Sequence, residues 1–127
     1  MSLGMFRRSV YYSEAIFNDG LDTAVLQSPA FNATSNACLQ FSYQISSPKI
    51  TLKILARKMT IGSKFEPSGT LTFSNQKRIG FWSKATVELI DGSVQFQIVA
   101  DKTGVTSNIH FVKIDDIQLI SCPVSGS

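Results

Sequence analysis

The sequence holds one histidine, one tryptophan and two cysteines in 127 residues. Each scarcity closes off a class of function. A lone His110, with no second histidine and no nucleophile elbow, lacks the partners that a Ser-His-Asp triad or a zinc site needs. His110 therefore reads as a structural or surface residue, and the chain as non-enzymatic. No stretch approaches the ~20 apolar residues that cross a bilayer, so direct membrane insertion is not expected. The N-terminus, Met1-Ser-Leu-Gly-Met-Phe-Arg-Arg-Ser, has no apolar segment followed by small residues, so no secretory signal is read there. Helical periodicity, internal repeats and low-complexity linkers are missing as well. Residues 1–122 read as one domain and 123–127 as a flexible tail.

What the chain does have is alternation. In Cys38-Leu-Gln-Phe-Ser-Tyr-Gln-Ile, Leu39, Phe41, Tyr43 and Ile45 share one parity and Gln40, Ser42 and Gln44 the other. Ile50, Leu52, Ile54 and Ala56 repeat the pattern after a Ser46-Ser47-Pro48 turn, so these runs predict a hairpin or adjacent strands. Trp82 precedes Ala85, Val87 and Leu89 at period two, and such a lone tryptophan is commonly core. Asp91-Gly92 signals a hairpin turn into Val94, Phe96, Ile98 and Ala100, with Gln95 and Gln97 facing out. Weaker strands are expected from Leu3 to Tyr12, Thr23 to Leu26 and Thr70 to Phe73. Asn18-Asp19-Gly20 reads as a turn, Phe31 to Asn36 as a polar link and Lys58 to Gly69 as a loop. Short strands with turns between them describe an all-β fold, an antiparallel sandwich or jelly roll.

The run from Asn108 to Cys122 carries the most information. Ile109, Phe111, Val112, Ile114, Ile117 and Leu119 predict a long, mostly buried strand, broken at Asp115-Asp116. The apolar parity changes across it, which predicts a bulge or an exchange of faces between sheets. Adjacent carboxylates on a regular strand point to opposite faces, which argues against a glycosidase pair. Asp115 or Asp116 could bind Ca2+ at an irregular backbone; otherwise backbone N–H groups satisfy them. The strand ends in Cys122, and the only other cysteine, Cys38, opens a strand. Placement at opposite ends of a β-rich domain favours a disulfide and an oxidising compartment over a cytosolic thiol pair.

Net charge is +3 and unevenly spread. Lys49, Lys53, Arg57, Lys58, Lys64, Lys77, Arg78 and Lys84 fall in one central stretch against Glu66 alone. The plain reading is solvated edges and loops, where lysine discourages edge pairing. The functional one is an interaction surface around Arg57, Lys58, Lys77 and Arg78, facing an acidic protein or an anionic glycan. No nucleic-acid module accompanies the charge, so nucleic acid is not an expected partner.

Several of these segments together resemble a known family. Cys38-Leu-Gln-Phe-Ser-Tyr, the Trp82 segment leading to Val87-Glu-Leu, Gln97-Ile-Val-Ala followed by Gly104, and Ile114-Asp-Asp-Ile-Gln-Leu closing on Cys122 resemble the C-terminal part of a MAM domain. Ala24-Val-Leu-Gln-Ser-Pro and Gly4-Met-Phe are similar to its upstream elements. The resemblance implies an antiparallel two-sheet jelly-roll sandwich, a Cys38–Cys122 disulfide, and Trp82 and Phe41 in the core. It also implies an extracellular module, free or in a membrane-protein ectodomain, that binds a protein partner, including itself. The family's opening segment, with another cysteine pair and an early tryptophan, has no counterpart here. The alternatives are a carbohydrate- or glycosaminoglycan-binding module and an accessory domain of a larger secreted enzyme. In a secreted chain, Asn32-Ala-Thr would be an N-glycosylation acceptor at Asn32.

Overall fold

In the computed structural model, residues 3–5, 7–8, 13–17, 23–33, 35–76, 81–90, 92–103 and 110–123 are described. The strands are β1 Leu3–Met5, β2 Arg7–Arg8, β3 Ser13–Phe17, β4 Thr23–Gln27, β5 Phe31–Ala33, β6 Ala37–Ile45, β7 Ile50–Lys58, β8 Glu66–Thr72, β9 Ser83–Glu88, β10 Gly92–Lys102 and β11 His110–Ser121. They form two sheets. One runs β1-β4-β10-β7-β8, with β5 also paired to β10; the other runs β2-β3-β11-β6-β9. Every pairing is antiparallel except β1 with β4.

The alternating side chains face each other across the gap. Phe17, Leu39, Phe41, Tyr43, Ile45, Val112 and Ile114 from one sheet meet Ile50, Leu52, Ile54, Phe96, Ile98 and Ala100 from the other. Phe41 and Tyr43 stack edge-on with centroids 6.2 Å apart. Each large side chain buried this way contributes about 1.5–3 kcal/mol relative to exposure. The all-β sandwich predicted by the alternation, and the two-sheet jelly roll implied by the resemblance, are the fold observed.

Connectivity departs from the expected hairpins. β6 and β7 lie in different sheets, and so do β9 and β10. Residues 46–49 carry the chain across the sandwich rather than back alongside, and β10 likewise resumes in the sheet opposite β9. Gly92, with φ +100°, begins β10 in a conformation that favours glycine. Period two says which face a side chain takes but is silent on which strand lies beside it. The expected first strand, Leu3 to Tyr12, is divided: β1 joins one sheet and β2 the other, while residues 9–12 lie outside the described set. The turn at 18–20 lies outside it too.

The expected links also contain structure. Within Phe31 to Asn36, β5 pairs with the start of β10. The 58–69 loop is shorter than expected, because β8 begins at Glu66. Pro67 lies opposite Leu55 where the register shifts by one residue, on the edge of its sheet. There a missing N–H and a bulge both avoid a ladder conflict. A short 3-10 turn at Phe73–Asn75 then presents Gln76 to the edge of β6. The Gln76 amide accepts from Ile45 N–H at 2.8 Å and donates to Ile45 C=O at 2.9 Å, replacing a strand partner where β6 extends past Ser83, the first residue of β9.

Candidate interaction site

At one end of the sandwich β7 runs out into the 59–65 loop. An open cleft of about 680 Å³ is lined there by Arg57, Lys58, Ile61, Lys64, Glu66 and Ile90, among others. Thr60 C=O accepts from Ser63 N–H at 3.1 Å, and Gly62 has φ +79°. That positive φ is what the third position of a type II turn requires. It leaves Ile61 at the tip, fully exposed at 107%. Met59 and Ile90 are exposed nearby in sequence and cleft respectively.

Arg57 is held where a surface arginine would ordinarily wander. Its Nε and Nη2 both donate to Gln95 Oε1, at 3.1 and 2.8 Å. Gln95, 8% exposed, donates in turn from Nε2 to Ser28 C=O at 2.9 Å. Because a carbonyl only accepts, this contact sets which way round the Gln95 amide lies. The guanidinium also sits over the Phe65 ring, 4.7 Å from its centroid. Gln95 thus faces away from the core, as its parity predicted, yet it is buried by the arginine it orients.

The MAM domain family model (meprin/A5/mu) matches residues 10–123, nearly the whole chain. This chain belongs to the MAM family. MAM domains are extracellular adhesion and protein-interaction modules. A solved structure described as "CBM4 structure and function" aligns with TM-score 0.55 at 13% identity, covering 91% of this chain and 87% of that one. At that identity the likeness is one of fold: it supports the two-sheet sandwich.

In this MAM domain Cys38 and Cys122 are joined by a disulfide across a sequence separation of 84. Cys38 heads β6 opposite Ile120, and Cys122 N–H donates to Asn36 C=O at 2.9 Å. Phe41 is in the core at 1% exposure, as the resemblance implied. Trp82 is not. It is 43% exposed just before β9, because Ser83, Ala85, Val87 and Leu89 take the buried parity. The same alternation puts Trp82 outward with Lys84, Thr86 and Glu88, so the signal that corrects the expectation was in the sequence. Phe81 beside it is exposed as well.

The break in β11 is a bulge. Asp115 pairs with Ser42 and Gln118 with Gln40, so two residues, Asp116 and Ile117, oppose Phe41 alone. Asp116 takes φ +57°, a left-handed conformation that aspartate tolerates. Beyond the bulge Asp116 to Leu119 are exposed, so β11 is buried only along its first half and the expected long buried strand is corrected. Asp116 avoids the cost of burial by this means, while Asp115, still paired opposite Ser42, is half-buried. Among the described residues no group of three or more His, Cys, Asp or Glu gathers around them. Asn32 is exposed on β5, and His110 is half-buried at the start of β11 opposite Phe17. Lys77 and Arg78 lie outside the described residues, so of the expected basic surface the structure places Arg57 and Lys58, side by side at the cleft. Sequence reasoning missed Ile61 and Gln95. The Gly62 turn signal pointed to a loop, but nothing local marked its tip as an apolar contact.

Proposed function

We propose that this MAM domain is a non-catalytic extracellular protein-interaction module that meets its partner with the loop end of the sandwich. One observation carries the reading: Ile61, held fully exposed at a turn tip beside an arginine fixed by Gln95 and Phe65. Exposed apolar side chains beside an ordered arginine are the composition of protein contact surfaces. The disulfide suits an oxidising compartment outside the cell. Self-association is one form such contact takes. The test is binding of the tetramerised, fluorescently labelled chain to cultured cells, with and without Arg57→Glu and Lys58→Glu. The charge reversals are expected to reduce binding at least tenfold; unchanged binding would remove this surface from consideration.

A glycan-binding reading is favoured by a different observation, the exposed Phe81-Trp82 pair leading into β9. Aromatic faces suit sugar rings, and the CBM4 neighbour shares the fold. Loss of cell binding after heparinase treatment, or in Trp82→Ala with Arg57→Glu still binding, would select this reading.

A further inference from the structure

A guanidinium carries five N–H donors in a rigid fork. In Arg57 the side edge, Nε and one hydrogen of Nη2, is committed to Gln95 Oε1. The tip edge, formed by Nη1 and the second hydrogen of Nη2, has no protein acceptor among the described residues. It is the edge that matches a carboxylate with two parallel hydrogen bonds. Gln95, Ser28 and Phe65 hold the group in place, so little side-chain entropy remains to be lost on binding.

Around it the cleft is charged and apolar together. Lys58 and Lys64 add positive charge, Glu66 subtracts some, and Ile61 and Ile90 line the walls. A highly sulfated glycan would gain from the lysines but meet Glu66 and leave both isoleucines uncovered. A peptide with a single carboxylate next to aliphatic side chains places less negative charge near Glu66, meets the Arg57 fork and covers both isoleucines. We infer that this cleft is a peptide-docking site: Arg57 takes an aspartate or glutamate carboxylate of the partner end-on, while Ile61 and Ile90 cover the flanking aliphatic residues. The inference rests on the reading that the loop end is the contact surface, and it specifies the chemistry of what is recognised there.

The probes are a capped peptide of alternating leucine and aspartate, the same peptide with asparagine for aspartate, and a heparin hexasaccharide. Each is titrated into the isotopically labelled full chain and followed by NMR. The acidic peptide is expected to shift the Ile61, Gly62 and Ile90 amides and the Arg57 Nε–H signal saturably. The asparagine peptide is expected to bind at least tenfold more weakly. Arg57→Lys, which keeps the charge and loses the fork, should weaken the acidic peptide about tenfold to a hundredfold, the range for a charge-assisted hydrogen-bond pair. Ile61→Ser, at a fully exposed position where folding is not at stake, should also weaken it several-fold. Equal affinity of Arg57→Lys and the parent chain overturns the inference while leaving a basic contact surface standing. Absence of peptide binding, or shifts with the hexasaccharide alone, overturns it too. If cell binding by the tetramer is insensitive to Arg57→Glu as well, the broader reading falls with it.

Discussion

Removing the Cys38–Cys122 bond tests how this sandwich is held closed. The bond closes a loop with a sequence separation of 84. In the chain-entropy treatment, a loop of that length contributes about 4.5 kcal/mol at 25 °C by restricting the unfolded chain. In the folded state it joins strands that already share a ladder, with Ile120 opposite Cys38 and a hydrogen bond from Cys122 to Asn36. The folded structure should therefore survive its loss nearly unchanged, and the effect should lie in the unfolded ensemble. With an unfolding entropy near 2.1 cal/mol/K per residue over 127 residues, 4.5 kcal/mol corresponds to a fall of roughly 17 °C in Tm. The assay is urea unfolding by circular dichroism of the oxidised chain, the reduced chain and the Cys38→Ala/Cys122→Ala variant. The last two should agree within about 1 kcal/mol, and both should show a larger m-value than the oxidised chain, because the open unfolded chain exposes more surface. A loss under about 1 kcal/mol with an unchanged m-value would refute the reasoning, since it would mean that the chain ends stay together without the bond.

Other perturbations have equally local causes. Gln76→Ala leaves Ile45 N–H and C=O without their amide partner and should cost about 1–3 kcal/mol, with faster hydrogen exchange at the Ile45 amide; unchanged exchange would contradict the strand-mimic role. At Gly69 a Cβ would sit 3.4 Å from Val87 Cγ2, so Gly69→Ala should change stability by less than about 1 kcal/mol, whereas Gly69→Leu must displace Val87 and Ile54 and should cost about 1–3 kcal/mol by urea midpoint. Burial raises the Tyr43 phenol above its ordinary value near 10. The unfolded chain then ionises first, so this contribution to stability is complete below about pH 10 and is lost as pH rises through the folded-state value. Phenolate absorbance from Tyr43 should appear together with loss of the β spectrum; reversible titration at the ordinary pH with the sheets intact would contradict it.

The alternation of Leu39, Phe41, Tyr43 and Ile45, and of Ile50, Leu52 and Ile54, determined the fold class and the core, because side-chain direction on a strand is a local property. The carboxylate pair that breaks the apolar run of β11 borders the bulge at Asp116-Ile117, whereas the parity change between Phe111 and Val112 falls where pairing with β3 is regular; the even parity of Trp82 announced its exposure. Strand neighbours were not legible: β6 and β7 have the pattern of a hairpin and instead face each other across the core. Two apolar faces are satisfied as well by packing against each other as by lying side by side, and only the whole set of strands decides between these arrangements. The cleft belongs to the same category. Arg57, Gln95, Ser28 and Phe65 come from three separate segments of the chain, and the guanidinium acquires a fixed direction only once β7 and β10 have paired.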